Sequence, residues 1–183
     1  MKFLFKNLIF LVLSSLVVFF LSGCAAKKNL PCPKVAKLSE ASSITSFFPG
    51  EGRDIIDIET ETLVGSIVRN CYYEKSNVFV KTRIQFKSSK GPKTSKEKEN
   101  LKYFVAVLDK DEKIIGREVF DLIIKYPKNS KKAQVYESSE QIIPIRADSR
   151  GIDYVILVGF QLEPIDLIYN RQQRKEGKIK RLP

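Results

Sequence analysis

Residues 78–86 carry the pattern that most constrains the fold of this chain. Every second position holds an apolar side chain or a threonine, and cationic or amide side chains stand at most of the positions between them. Successive side chains of a β-strand point to opposite faces, so this alternation predicts a strand with one buried and one solvated face. No long helical period competes with it elsewhere in the chain. The sequence therefore predicts a core that is buried between β-sheets.

A second strand precedes this one and pairs with it. Residues 65–73 are β-prone, and the short polar run at 74–77 joins them to residues 78–86 as a predicted hairpin. Upstream, residues 56–62 alternate isoleucine and threonine with acidic residues, which predicts another strand with one face in water.

The second half of the chain repeats this design. Residues 101–108 are almost continuously apolar, which predicts a strand buried on both faces, and the charged run at 109–112 predicts a hairpin turn into residues 113–126. The segment 127–130 begins with proline and turns the chain into a β-prone run at 131–145. Residues 154–162 form the strongest predicted core strand.

About seven strands joined by turns favour an all-β fold, an antiparallel β-sandwich of the Greek-key type. Within residues 145–158, Asp148 and Gly151 precede Tyr154 at the start of a core strand, which resembles the tyrosine corner of immunoglobulin and fibronectin type III domains. The connecting loop is longer than is usual in those domains, and the chain has no tryptophan. The resemblance implies an immunoglobulin-like arrangement.

Three segments lie outside these predicted strands. Residues 34–48 read as an irregular polar stretch that ends in a packed pair, Phe47 and Phe48, before a turn. Residues 87–102 read as a long solvated loop whose lysines either meet phosphates or simply keep the loop in water. From Pro164 we expect a short C-terminal helix that packs on the sandwich through Leu167, Ile168 and Tyr169.

The N-terminus has the layout of a secretory signal. Two lysines precede an uncharged apolar run at residues 8–21, which is shorter than the ~20 apolar residues that a spanning helix needs. The domain organisation that follows is a signal peptide at 1–23, a tether and entry loop at 24–52, a β-sandwich domain at 53–163, and a short helix with a basic tail at 164–183.

The apolar run ends in Leu21-Ser22-Gly23-Cys24, which resembles the lipobox of bacterial lipoproteins. The resemblance implies cleavage before Cys24, a diacylglyceryl group on its sulfur, and usually acylation of the new N-terminus. Two or three acyl chains give stable anchoring. Ala25 favours sorting to the outer membrane, with the domain facing the periplasm. Sorting rules differ between bacteria, and Lys27 with Lys28 leaves the inner membrane open as the alternative.

With Cys24 assigned to lipid, Cys32 and Cys71 remain as a pair in an oxidising compartment, which favours a disulfide. Two buried free thiols and metal ligation are the alternatives. Because the chain has no histidine, a zinc site would need carboxylates beside the two thiols.

The residue types restrict the available chemistry. Without histidine, neither a Ser-His-Asp nor a Cys-His arrangement can be built, and no Gly-rich phosphate loop is present. The acidic run at 109–112 lacks the ligand spacing of a calcium-binding EF-hand loop. Glu59 and Glu61 offer a carboxylate pair, but two acids on the wet face of a strand are typical of plain surface. We therefore expect no enzyme activity, no cofactor and no small-molecule substrate.

The net positive charge of the chain indicates either an anionic partner or a solvated surface. Removal of residues 1–23 lowers the formal charge from +11 to +9 because Lys2 and Lys6 are lost. Six cations lie in the C-terminal tail, at Arg171, Arg174, Lys175, Lys178, Lys180 and Arg181.

Two functions follow as hypotheses. The first is a non-enzymatic module that binds another envelope protein or serves a structural role in the periplasm. The second is a binder of anionic envelope polymer or lipid through the basic loop and tail. Nucleic acid is not an expected partner of a protein anchored in the envelope.

Overall fold

Two four-stranded β-sheets pack face to face in the computed structural model, which describes residues 30–50 and 52–175. In chain order, the strands are β1 (Lys34–Lys37), β2 (Ser43–Phe47), β3 (Ile58–Glu74), β4 (Asn77–Lys90), β5 (Lys98–Leu108), β6 (Ile114–Lys125), β7 (Lys132–Pro144) and β8 (Val155–Phe160). The first sheet has the order β1-β8-β5-β6, and the second has the order β2-β3-β4-β7. The predicted all-β sandwich is confirmed.

The connections cross between the sheets in Greek-key fashion. Strands β5 and β6 form a hairpin, β7 passes to the other sheet beside β4, and β8 returns to lie beside β5. Every pairing is antiparallel except that of β1 with β8, which is parallel. This parallel pair was not expected from the sequence, since its two strands lie at opposite ends of the described chain.

The core lies between the inner faces of the two sheets, as the alternation predicts. In β4 the side chains at positions 78, 80, 82, 84 and 86 are all buried, and the hairpin turn with β3 falls at Lys75 and Ser76. In β5 the five residues 103–107 are all buried, as predicted for a strand covered on both faces. Aromatic rings fill the centre, where Phe86 packs against Tyr103 and Phe160.

Tyr154 occupies the position of the predicted tyrosine corner. Its ring is buried, and its hydroxyl donates a hydrogen bond of 3.3 Å to the backbone carbonyl of Pro144. This bond fixes the end of β7 to the start of β8, which lies in the other sheet. A short 3-10 helix, Gly151–Asp153, leads into β8 directly before Tyr154.

The prediction of an irregular stretch at residues 34–48 is wrong. The segment contains β1, a 3-10 helix at Ser39–Ala41, and β2. Its two strands are short, and each is the edge strand of one sheet. Their partners β8 and β3 supply the apolar surface, so the segment needs little hydrophobic pattern of its own. The count of strands is accordingly eight.

The prediction of a long solvated loop at residues 87–102 is also wrong. Strand β4 continues to Lys90 and β5 begins at Lys98, so the connection is short. Ser88 and Glu99 are polar, but both point into the sandwich and are buried. A buried polar cluster therefore replaces the apolar alternation that would have revealed these strand ends.

The predicted disulfide and C-terminal helix are both present. Cys32 precedes β1 and is bonded to Cys71 in β3, with a Cα–Cα distance of 5.8 Å. The bond thus joins the edge of the first sheet to the second sheet. Helix α1, Pro164–Lys175, follows β8 and begins with the predicted proline.

Candidate functional site

The N-terminal segment is fixed where it meets the sandwich. Besides the disulfide at Cys32, the hydroxyl of Tyr73 donates a 2.6 Å hydrogen bond to the carbonyl of Pro31. Gly151 makes this approach possible, because a Cβ at that position would overlap the Tyr73 hydroxyl and lie 2.7 Å from the Pro31 oxygen. Cys24, the predicted lipidation residue, lies outside the described residues. Within the described ranges, no helix has the length and apolar content needed to cross a bilayer.

The predicted anion-binding tail falls into two parts. Arg171 forms a bidentate contact with the carboxylate of Glu40, at 3.2 Å from Nε and 2.9 Å from Nη2. This hydrogen bond lowers the pKa of Glu40 and raises that of Arg171. Arg174 donates a hydrogen bond to the Ser39 hydroxyl. Two of the predicted cations are therefore occupied within the chain.

Of the other four predicted cations, only Lys175 is among the described residues. Lys175 is exposed at the end of α1. Lys178, Lys180 and Arg181 lie outside the described residues. Of the three predicted cations among the described residues, two therefore contact the segment at Ser39 and Glu40, and one is exposed.

Asn170 is a positioning residue that sequence reasoning missed. Its side-chain amide is buried and donates hydrogen bonds to the backbone carbonyls of Glu40 and Ser43, at 3.0 and 2.9 Å. The ring of Tyr169 packs edge-on against Phe47 with ring centroids 5.1 Å apart. The expectation that Ile168 packs the helix on the sandwich is wrong, since that side chain is half exposed. A lone asparagine in a polar helix gives no pattern from which this contact could be inferred.

Ile168 instead borders an open cleft. The cleft has a volume of about 710 Å³ and lies between β2, the loop that follows it, and α1. Ile165 and Ile168 stand one helical turn apart on the wall formed by α1, and Phe47 and Phe48 contribute to the opposite wall. Polar side chains such as Arg53 and Asp166 line the rest. The cleft is open, and its lining mixes apolar and polar side chains.

A more coherent surface is the outer side of the second sheet, which we call the exposed face. It consists of the outward-pointing residues of β3, β4 and β7, and no described segment covers it. At the end near the tether, Tyr72, Phe79 and Ile142 stand side by side in register. The rings of Tyr72 and Phe79 stack with centroids 4.8 Å apart, and Ile142 is 60% exposed. An apolar row therefore crosses all three strands at this end.

Two cations on the exposed face lie over aromatic rings. The guanidinium of Arg83 lies 4.6 Å from the ring centroid of Tyr136, and Lys81 lies 5.9 Å from that of Tyr72. Val68, which is 66% exposed, stands opposite Arg83 in the register. Glu140 offsets part of this charge, at 3.8 Å from Lys81.

The sequence held a signal for this surface. The alternation at residues 78–86 predicts that Lys81 and Arg83 lie on the solvated side of β4. An apolar residue on the same side of a neighbouring strand is unexpected there. Tyr72 and Ile142 are such residues. Their strand partners had to be known before the pattern could be recognised as one face.

A buried polar cluster lies between the sheets at the other end of the sandwich. Glu99, only 2% exposed, accepts hydrogen bonds from hydroxyl groups of Ser46 at 3.0 Å, Thr60, and Thr62 at 3.3 Å. Tyr126 donates a longer bond of 3.4 Å to the same carboxylate. Within the part of the chain that the structure describes, no basic side chain forms an ion pair with Glu99. The hydroxyl groups alone therefore solvate this acid.

The cluster also influences the pKa of the Tyr126 phenol. Burial raises the pKa of Tyr126 to about 12, with a further contribution from the negative charge of Glu99 and an opposing one from its hydrogen bond with Ser88. The Ser88 and Tyr126 oxygens are 2.6 Å apart, and Ser88 lies 2.7 Å from the hydroxyl of Thr62. The hydrogen-bonded network thus joins four strands of the two sheets and serves the fold.

Two acidic residues from the candidate catalytic pair and the acidic run at 109–112 form contacts that stabilise the fold. Glu59 forms an ion pair of 2.8 Å with Lys96. Asp109 accepts hydrogen bonds from the backbone of Asp111 and Lys113, each at 3.0 Å, which confirms the predicted hairpin turn. Across residues 30–50 and 52–175, no three histidine, cysteine or acidic side chains converge as metal ligands.

Comparisons with known proteins identify no relative of this chain. The chain matches no protein-family model, no curated protein and no solved structure.

Proposed function

We propose that the chain is a lipid-anchored envelope protein that faces the periplasm and binds another envelope protein through the exposed face, without enzyme activity. The observation that carries this proposal is the apolar row of Tyr72, Phe79 and Ile142 on a sheet face that no described segment covers. The wet face of an antiparallel sheet is normally polar. An exposed apolar patch with a polar rim is typical of a protein interaction site.

The chemistry of the exposed face suggests the character of its partner. Tyrosine and arginine are the residue types that contribute most to protein interfaces, and Arg83 is held over Tyr136 in a fixed position. The cations Lys81 and Arg83 flank the apolar row. We expect a partner surface with an apolar centre and acidic residues at its rim, because these would complement both features.

The anchor supports the proposal by limiting where the partner can be. Only seven residues separate Cys24 from Cys32 in the sequence, so an extended tether reaches about 25 Å. The tether meets the sandwich next to Tyr73, one residue from Tyr72 of the apolar row. A lipid on Cys24 would therefore hold the exposed face close to the membrane, where envelope proteins are its neighbours.

Photo-crosslinking in cells tests the proposed surface. A photoreactive phenylalanine analogue placed at Tyr136 or Val68 in the full chain should give a crosslinked adduct of one defined mass, which mass spectrometry then identifies. The same analogue at Lys98, an exposed residue outside this face, is the matched control. Equal adduct patterns from all three positions, or none from Tyr136 and Val68, would refute the proposal.

The anchor has its own test. Cys24→Ala should remove the acyl mass from the protein. Because this substitution also removes the predicted cleavage site, the variant is made with a general secretory signal peptide in place of residues 1–23, and it should then move from the membrane fraction to the soluble periplasmic fraction. If the unsubstituted chain carries no acyl mass, the lipoprotein assignment fails, while the crosslinking result can still stand.

Anionic lipid or cell-wall polymer is the competing ligand, and the same variants distinguish it. Its binding to Lys81 and Arg83 would weaken as the salt concentration rises. We expect no sedimentation of the domain with phosphatidylglycerol vesicles that depends on Arg83. Salt-sensitive sedimentation that is lost in Arg83→Glu, without a protein adduct at Tyr136, would replace the protein partner by an anionic surface. A truncation after Lys175 reports separately on the tail residues.

A further inference from the structure

Strand β6 leaves one long edge of the first sheet open. It is the last strand in the order β1-β8-β5-β6, and no described residue pairs with its outer edge. Natural sheets protect such edges with lysines, prolines, bulges or covering segments, because an open edge can pair with another chain. In the second sheet, the side chain of Asn170 caps the Ser43 carbonyl of the edge strand β2. Strand β6 has no such cover over its twelve residues.

The hydrogen-bond alternation shows which residues of β6 face this edge. Tyr126, just after the strand, donates its N–H to Glu97 before β5. In an antiparallel ladder the bonded pairs recur at every second residue, so the even-numbered residues of β6 bond to β5. The backbone groups of Arg117, Val119, Asp121 and Ile123 therefore point to the open edge.

The side chains of these four residues lie on the outer surface of the first sheet. Val119 stands opposite Phe104, and Asp121 stands opposite Lys102. Val119 is 42% and Ile123 is 45% exposed, which is unusual for an edge strand in water. Along this surface an apolar residue alternates with a charge: Arg117, Val119, Asp121, Ile123.

This order is self-complementary about Val119. If a second copy pairs antiparallel with Val119 opposite the second copy's Val119, then Arg117 lies opposite the second copy's Asp121, and Asp121 opposite its Arg117. Ile123 then lies opposite the second copy's Ile115, at the point where a register shift interrupts β6. Opposite charges and apolar pairs directly across a strand pair are each favourable.

We infer that the chain forms a two-fold symmetric dimer by antiparallel pairing of β6 with β6 of a second copy, in the register centred on Val119. The two four-stranded first sheets then become one continuous sheet. The contact is the same patch on both copies, so it closes after two chains and does not propagate. It uses a different surface from the exposed face and does not depend on the proposed function.

Neighbouring registers are less favourable. Centring the pair on Asp121 would place this acid opposite its own copy and Arg117 opposite Lys125. Centring it on Arg117 would place two guanidinium groups together. Centring it on Ile123 matches Asp121 with Lys125, but the overlap soon reaches Pro127, which has no N–H to donate. The charge pattern therefore selects one register.

Cysteine crosslinking in cells tests this register. Val119→Cys in the full chain should give a disulfide-linked dimer on a non-reducing gel after mild oxidation. Directly opposed residues of a bonded pair have Cα atoms about 5.5 Å apart, which suits a disulfide. Gln172→Cys, exposed on α1, is the matched control, and the unsubstituted chain reports any background from its own cysteines. A dimer yield from Val119→Cys no higher than from Gln172→Cys would overturn the inference.

Charge exchange in the Val119→Cys chain tests the opposed charges. Arg117→Asp and Asp121→Arg each place like charges opposite one another, so each should lower the dimer yield roughly tenfold. The combined variant restores opposite charges and should recover the yield. The combined variant still lacks the contacts that Arg117 makes with Phe104 and Gln161 of its own chain. A recovered dimer yield therefore cannot be due to those contacts. If the combined variant stays as low as the single variants, or if the single variants lose nothing, the proposed register is wrong.

Discussion

The side chain of Asn170 binds the backbone of Ser43 across 127 positions of sequence. The bond is 2.9 Å long and buried, and the same amide group also reaches the carbonyl of Glu40. One residue of the C-terminal helix thus satisfies two carbonyl groups where the chain crosses from β1 to β2. This contact and the ring contact of Tyr169 with Phe47 hold the helix on the sandwich.

Asn170→Leu should therefore release α1 from the sandwich. The two carbonyls would lose their donor, which costs about 1–3 kcal/mol of the free energy of unfolding when the groups are buried. Urea unfolding measures this loss, and amide hydrogen exchange should rise in residues 164–175. Gln172→Ala, exposed on the same helix, should change the stability by less than about 0.5 kcal/mol. Equal effects of the two substitutions would contradict the assigned role of Asn170.

Reduction of the Cys32–Cys71 bond should weaken the fold substantially. The bond closes a loop with a sequence separation of 39, for which the chain-entropy relation gives roughly 4 kcal/mol. Urea unfolding with and without a thiol-free reductant measures the difference. The double substitution of Cys32→Ser and Cys71→Ser should show the lower stability in both conditions. A reductant effect that persists in this double variant would have to come from elsewhere.

Glu99→Gln should destabilise the sandwich although it removes a buried charge. The hydroxyl groups of Ser46, Thr60 and Thr62 donate to the carboxylate, and an amide nitrogen in place of one oxygen cannot accept their bonds. We expect a loss of about 1–3 kcal/mol in the free energy of unfolding at neutral pH. Glu97→Gln, two residues away and exposed, is the matched control and should be near neutral. A stability gain in Glu99→Gln would mean that the charge itself is the unfavourable element.

Alkaline pH should unfold the protein partly through Tyr126. Burial raises its pKa to about 12 in the folded state, above the usual 10.0 of a tyrosine. A raised pKa favours the neutral phenol in the folded state, so the stabilising contribution is complete below pH 10 and is lost as the pH rises toward 12. Stability measured across this range should fall less steeply in Tyr126→Phe. Tyr136→Phe, on the exposed face, should keep the slope of the unsubstituted chain.

The regular strands could be predicted because the order of apolar and polar residues within each strand indicates which faces are buried. In β4 the alternation at positions 78–86 matches the buried face, and in β5 the continuous apolar run matches a strand covered on both sides. The hairpin turns between them are local and polar. Each of these features depends on neighbours within a few positions, which a single sequence displays.

The missed elements depend on distant partners or on buried polar groups. Strand β1 has only four residues and exists because β8 pairs with it, more than a hundred positions later. The ends of β4 and β5 carry Ser88 and Glu99, which resemble loop residues until their hydrogen-bonded partners are known. The exposed face and the open edge of β6 likewise became visible only when the strand order was known. The lipobox resemblance at residues 21–24, by contrast, rests on a short local motif outside the described residues, and it stays a prediction.

The disulfide also determines how the protein would respond to mechanical force. A pull on the N-terminus reaches Cys32 and passes through the covalent bond to Cys71 near the end of β3, an inner strand of the second sheet. The 39-position interval between the two cysteines, which includes β1 and β2, is thereby shielded from tension. Stretching the oxidised chain should yield about 140 Å less extension than stretching the reduced one, at ~3.6 Å per residue. The edge strands nearest the tether would therefore remain folded under a tension that first strains the interior of the sandwich.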